Sequence, residues 1–178
     1  EMSDYLVSFS SRHSSGEVIR YLEQARGLSV LVVGETIVDE YQYCETIGKP
    51  AKDPIQAALY SSTEKFAGGV VAVANHLANY CGEVGLVTML GENDTQEDFI
   101  RQCLDPKVNP SFFYKANSPT IVKRRWVDSH LTQKLFELYV MNDEELGPEE
   151  TKELHSQLET ALPKYDLAIV VDYGHGMI

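Results

Sequence analysis

The sequence predicts an α/β fold: a doubly wound, mostly parallel sheet with a smaller β-sheet beside it. Three observations carry that prediction. Continuous apolar runs, "LSVLVVG" at 28–34, "EVGLVTMLG" at 83–91 and "DLAIVVD" at 166–172, suit strands covered on both faces. Segments with helical spacing separate these runs, which is the order of βαβ units. Between them lie mixed polar and aromatic strands that do not suit a two-sided core and so belong to a second sheet.

The elements follow in chain order. "SSGEVIRYLEQARG" predicts a helix capped by Ser15, with Val18, Ile19 and Leu22 at helical spacing and Gly27 at its end. Together with the polar start, it makes residues 1–27 a helical extension ahead of a unit spanning 28–178. "ETIVDEYQYCETIG" and "PIQAALYSSTEKF" read as one-sided strands about the proline-bearing turn "KPAKDP". "AGGVVAVANHLANYCG" predicts a small-residue helix with Val73, Leu77 and Tyr80 along one side and Gly82 at its end. "NDTQEDFIRQCL" predicts a helix in which Thr95 and Asp98 resemble a capping box with a shorter acid. "SFFYK", "PTIVKRRWVD" and "TQKLFELYVMND" are strand-like. "GPEETKELHSQLETALPKY" is a helix with Pro148 in its first turn and Leu154, Leu158 and Leu162 four residues apart.

Composition narrows the function. A length of 178 residues supports one domain with a sizeable core, and a formal charge of -12 argues against nucleic acid or an anionic membrane as the main partner. Three widely spaced cysteines, Cys44, Cys81 and Cys103, read as reduced thiols, not a disulfide framework. No apolar run approaches the roughly 20 residues that cross a bilayer, and the N-terminus lacks a secretory apolar core. The expectation is a soluble, cytoplasmic protein. The five histidines show no metal-ligand spacing, so no metal site is expected from this chain, and no G-x-x-x-x-G-K-[ST] loop is present.

Four stretches have the residue types for chemistry. In "VVGETIVDEY", Asp39 follows a strand-ending glycine and lies beyond the sheet's C-terminal edge, where open α/β sheets bind ligands. It is either an acceptor for two hydroxyls of a polyol or part of a solvated turn. In "FAGGVVAVANHLA", Gly68 and Gly69 either let a ligand approach the backbone or permit a tight turn. Asn75 and His76 are ligand contacts or satisfied core groups, the latter favoured for His76. In "IVKRRWVD", Lys123 and Arg125 share a face and Arg124 opposes them; the pair binds an anion or marks a charged edge strand. In "VVDYGHGMI", Asp172 ends a buried strand and His175 sits between glycines, as a phosphate contact or a cap.

Taken together, these pieces resemble the N-terminal half of a ribokinase-like (PfkB) carbohydrate kinase, nearest to its heptose-7-phosphate kinase branch. "VLVVGETIVDEY" resembles the family's G-D-x-x-x-D-x-Y turn, "FAGGVVAVANHLA" its G-G helix and "VGLVTMLGEND" its V-G-x-V-G-x-D segment. "TIVKRRWV" resembles its T-K-x-R strand and "VVDYGHGMI" its S-D-Y-G-K-G-x-L, in the family's order from about Leu28 onward. The resemblance implies a small β lid over the sugar site, from strands within about 36–66 and 118–140, and a homodimer formed through lid strands. It implies that Asp39 accepts sugar hydroxyls and that Gly68 and Gly69 offer backbone to the sugar, with Asn75 close by. Lys123 and Arg125 lie near the substrate phosphate, and Asp172 and His175 near the transferred one. ATP and Mg are the implied cofactors.

The sequence departs from the family at Glu35 for its first aspartate, at Ala72 for its asparagine (Asn75 is nearby) and at His175 for its lysine. "QKLFELY" also lacks the arginine and aspartate of the heptose branch. The substrate expectation is therefore a sugar or sugar phosphate. The family's base lies in a later G-A-G-D motif, so no catalytic residue is expected within residues 1–178. The expected unit is the sugar-side half of a kinase, truncated mid-domain and with little phosphotransferase activity by itself. The alternatives are a non-catalytic sugar- or phosphate-binding module and a dimerisation module.

Overall fold

A computed structural model describes residues 2–178. Two helices lead, α1 (Met2–Arg12) and α2 (Ser15–Gln24), and neither has a buried residue. The cap of α2 is Ser14, one residue before the expected Ser15. Its hydroxyl accepts the Glu17 amide while the Glu17 carboxylate accepts the Ser14 amide, a reciprocal pair that Ser15 has no acid in place to make.

β1 (Ser29–Gly48) unites what the sequence divides into two strands. Its first part pairs in parallel with β3 (Glu83–Asn93) on one side and β7 (Leu167–Val171) on the other, and β4 (Val108–Pro119) extends the sheet beyond β3. Past Thr36, β1 changes neighbours. It pairs antiparallel with β2 (Ala57–Gly69) and parallel with β5 (Ile121–Asp128), and β6 (Gln133–Val140) closes that second sheet against β5. One strand thus runs through two sheets, and its residues near 36–39 lie where they meet.

The continuous apolar pattern of β1 follows from burial on both faces. Val30 and Val32 pack with α3 (Val70–Ala78) and with Ile100 of α4 (Glu97–Cys103). Leu31 and Val33 pack with Phe113 and with Leu154 of α5 (Pro148–Ala161). The buried side of α3 is Val70, Val71, Ala74 and Ala78; Val73 and Leu77 pack at its margin, while Tyr80 and His76 are exposed. The small residues sit inside because α3 lies directly on the sheet, where larger side chains would hold it away. The Thr95–Asp98 box does not form. Gln96 enters α4 at φ 54°, and the Thr95 carbonyl instead accepts the Thr120 hydroxyl at 2.7 Å.

β7 has β1 on one side and, among the described residues, no strand on the other, and Leu167 and Val170 are exposed.

Candidate functional site

Side chains alternate across the second sheet, so β1 sends Asp39 and Tyr41 to one face and Glu40 to the other. Register then decides what they meet. Asp39 pairs with Lys123 and Tyr41 with Arg125, while Lys123 pairs with Tyr139 and Arg125 with Glu137 across β6. These six side chains share one face. The Asp39 carboxylate accepts a hydrogen bond from Arg125 Nη1. Arg125 Nε donates to Glu137 Oε1 at 2.8 Å, and the Tyr139 hydroxyl donates to Glu137 Oε2 at 2.8 Å. The guanidinium lies 5.4 Å from the Tyr41 ring centroid, and Lys123 Nζ lies 5.4 Å from that of Tyr139. Phe66 of β2 meets Tyr41 edge-on at 5.8 Å and completes an aromatic floor.

The electrostatics follow from these bonds. The Tyr139 hydroxyl, then Arg125, hold Glu137 below the usual carboxylate range against the opposing effect of burial. The same bond to Glu137 pushes Tyr139 up. Burial pulls the Arg125 guanidinium down, but the bonds to Asp39 and Glu137 outweigh it and its pKa is raised. Both directions favour the charged forms of Arg125 and Glu137.

Gly68 and Gly69 lie beside this cluster. A side chain on Gly68 would collide with Asp39 Oδ2, so only glycine lets the carboxylate lie against the backbone. Gly69 joins β2 to α3 at φ 58°, in the left-handed region, and any Cβ would strike the Glu35 carbonyl. Gly69 requires glycine for reasons internal to the fold, and both positions place β2 backbone next to Asp39.

Asn75 is elsewhere. Its amide donates to the Cys103 carbonyl at 2.8 Å and accepts from the Asp105 amide at 2.8 Å, clipping α3 to the turn after α4. Both ends of its side chain are in use, and the structure does not bring it to the Asp39 cluster.

Asp172 and His175 lie in the turn after β7, and that turn is organised by Glu35. Glu35 is fully buried, and its two oxygens accept the Tyr173 amide at 2.9 Å and the His175 amide at 3.1 Å. Asp172 accepts the intervening Gly174 amide at 2.7 Å. Three successive amides of this turn are therefore bound internally, so it offers no open amide nest to a phosphate. Among the described residues, no three His, Cys, Asp or Glu side chains converge as a cation site.

Sequence reasoning reads Glu35 only as a substitution and misses its role as the clasp of the 173–175 turn. Glu137 goes unnoticed altogether. Its one signal is the alternation of "QKLFELY", which becomes informative only once register sets it opposite Arg125.

No protein-family model matches the chain. Among curated proteins, it is 34% identical over 151 residues to the bifunctional protein HldE of Marinomonas sp. (strain MWYL1), covering 84% of this chain and 31% of that protein. It is 27% identical over 159 residues to the bifunctional protein HldE of Haemophilus influenzae (strain PittEE), covering 89% and 33%. The chain thus spans about a third of the length of these relatives. Among solved structures, phosphofructokinase-2 from Escherichia coli, in complex with fructose-6-phosphate, matches with a TM-score of 0.61 at 14% identity, over 83% of this chain and 47% of that one. A possible 1-phosphofructokinase from Thermotoga maritima matches with a TM-score of 0.57 at 14% identity, over 82% and 46%. A carbohydrate kinase from Agrobacterium tumefaciens matches at 0.54 and 17%, over 80% and 45%. Over most of its own length, and less than half of theirs, the chain has the fold of the ribokinase-like sugar kinases, and by sequence it is similar to the HldE proteins.

Proposed function

We propose that this chain is the sugar-binding part of an ATP-dependent carbohydrate kinase, with the second sheet as a lid over the sugar. One observation carries the reading. Asp39 stands at the junction of the two sheets with one oxygen against the Gly68 backbone, on the aromatic face that Tyr41 and Phe66 share. Aromatic faces and a hydroxyl-accepting carboxylate are what sugar recognition needs. The phosphoryl donor of this reading is ATP with Mg, taken from the family likeness. The 173–175 turn does not fit that group, since its amides are already bound to Glu35 and Asp172. A cytoplasmic homodimer joined through the lid belongs to the same reading, supported by the exposed Leu59, Tyr60, Phe136 and Leu138 on its strands.

The test uses the natural full-length polypeptide with ATP, a magnesium salt and a panel of sugars and sugar phosphates. ATP-dependent phosphorylation of one of them is expected. Asp39→Asn should weaken sugar binding by about a hundredfold, the effect of removing an acceptor built for hydroxyls. An intact panel with no turnover and no binding would overturn the proposal.

A further inference from the structure

We propose that Lys115 is a positioning residue that couples the second sheet to the turn carrying Asp172, by fixing the connector between them. What the coupling serves rests on the sugar-kinase reading above; the contacts that make it do not. Lys115 of β4 lies opposite Gly91 of β3 and is only 4% exposed. A buried ammonium is costly unless its protons are satisfied. Its Nζ donates to the Asn142 carbonyl at 2.9 Å and to the Glu144 carbonyl. Both belong to residues 141–147, the connector through which β6 leaves the second sheet for α5. The Asn142 side chain accepts the Glu144 amide at 3.0 Å, so the connector is held in one shape over the ammonium.

The same Glu144 carbonyl walls the turn after β7. Gly176 lies at φ 83°, and a Cβ on it would strike that oxygen. Met177, next in the chain, is buried in the apolar cluster against which Met141 and Leu146 pack. The turn is thus gripped from two sides. Glu35 holds its Tyr173 and His175 amides from β1, and the Lys115-bound connector closes on Gly176. On the lid side the connector continues β6, whose Glu137 is bound to Arg125 and through it to Asp39. An unbroken run of contacts and chain therefore leads from Asp39 to the Asp172 turn, and Lys115 is its anchor in the core. A sugar drawing on Asp39 and Arg125 shifts β6, and the connector passes that shift to the turn. Without the ammonium the connector is loose, and lid and turn move independently.

The experiment follows backbone hydrogen exchange by mass spectrometry on the full-length protein without sugar or nucleotide, over segments 141–147 and 172–177. Lys115→Met keeps the buried stem and removes the charge. It should speed exchange at 173–175 about tenfold, although Lys115 bonds none of those amides. Coupling is reciprocal, so Glu35→Gln, which disturbs the turn from the other side, should speed exchange in 141–147 about as much. Glu137→Ala frees β6 from Arg125 and should speed exchange at 173–175 about threefold in the wild-type background but not in Lys115→Met. A merely structural lysine leaves those two effects additive. Faster exchange confined to 141–147 in Lys115→Met, or a Glu137→Ala effect that persists there, overturns the proposal. Should Lys115→Met not fold, the two other variants still read the coupling at the far segment, and no change there overturns it. These arms need no substrate, so they decide the coupling whether or not the sugar panel gives turnover. With a panel sugar that is turned over, Lys115→Met should lower kcat about tenfold and change the sugar KM by less than about twofold, because the turn and not the lid pocket loses its brace. An unchanged kcat overturns the functional use of the coupling and leaves the sugar-kinase reading standing.

Discussion

The two faces of the second sheet hold opposite charge arrangements built from adjacent residues. On the open face, the cation Arg125 lies between two acids, Asp39 and Glu137. On the other face, the acid Glu40 lies between two cations, with Arg124 Nε at 2.5 Å and Lys65 Nζ at 3.4 Å. Asp39 and Glu40 are neighbours in sequence, as are Arg124 and Arg125, and the period of two alone separates them. Their surroundings differ too. Lys65 also donates to Gln96 and lies 5.0 Å from the Phe99 ring, so α4 and its leading turn cover the Glu40 side, whereas Asp39 is met by Arg125 of β5 and by Gly68 of β2. The covered trio fastens the second sheet to α4. The open trio has capacity left for a ligand. The burial of the acid, Glu40 at 10% side-chain exposure against Asp39 at 25%, separates the structural cluster from the candidate functional one.

If burial is the discriminator, the most buried acid on β1 should matter most to stability. Glu35 lies four residues before Asp39 on the same face and is fully buried beneath two backbone donors. Glu35→Ala should cost about 3 kcal/mol in denaturant unfolding, because it strands two amides that were paired inside the fold. Glu40→Ala should cost about 1–2 kcal/mol, less than a fully buried pair because both its cations are about a third exposed. Asp39→Asn should cost under about 1 kcal/mol, since Arg125 keeps Glu137 and the site keeps its shape. An Asp39 cost equal to that of Glu40 would break the comparison, and would make the open trio structural as well.

Much of this arrangement was legible from sequence, and what was not has a physical cause. β1 and β3 show as apolar runs because both their faces are covered, whereas β7, an apolar run expected to be buried, is largely exposed; the second sheet shows as mixed aromatic segments because it has an open face. Lys123 and Arg125 are placed together by alternation alone. Register is not legible, because it depends on where β5 and β6 meet β1 in space. Glu137 therefore stays invisible until Tyr41, Arg125 and Glu137 line up across three strands. The Glu35 clasp and the Asn75 clip are lost for the same reason, as each bonds a segment at least 28 residues away. The division of β1 into two predicted strands has another source. Gly34 reads as a strand end, yet β7 approaches so closely there that a Cβ would strike the Val171 carbonyl, so glycine is needed to continue the strand.

The far end of the second sheet supplies a pH probe. Asp128 accepts from the Thr46 hydroxyl at 2.7 Å and amide at 3.2 Å, and from the amides of His130 at 2.9 Å and Leu131 at 3.0 Å. The Thr46 hydroxyl first, then the amides, pull its pKa down to about 2. That lies below the roughly 3.9 of an unfolded aspartate, so its stabilisation is complete above about pH 4. It is lost as pH falls from there through 2. Asp128→Asn should flatten that part of the stability–pH curve and leave sugar binding at neutral pH unchanged. A curve of unaltered slope below pH 4 would show that other carboxylates dominate acid unfolding.

The smallest effect belongs to Lys123, and it tests the comparison most closely because the neighbouring residue serves as its control. Lys123 and Arg124 are adjacent cations on one strand, facing opposite ways. Among the described residues Lys123 has no carboxylate partner, and it lies 5.4 Å from the Tyr139 ring, a contact worth about 0.5 kcal/mol. Lys123→Met keeps the stem packed against the ring and removes the charge, so its stability cost should stay within about 0.5 kcal/mol. Arg124→Met removes the closer of Glu40's two partners and leaves a nearly buried carboxylate with only Lys65 at 3.4 Å, so it should cost about 1 kcal/mol or more. Added salt should narrow the Arg124 cost, because that side chain is 34% exposed, and should leave Lys123→Met unchanged. Equal costs for the two substitutions would mean that the faces do not differ in the way burial and pairing indicate, and that the covered trio carries no more stability than the open one.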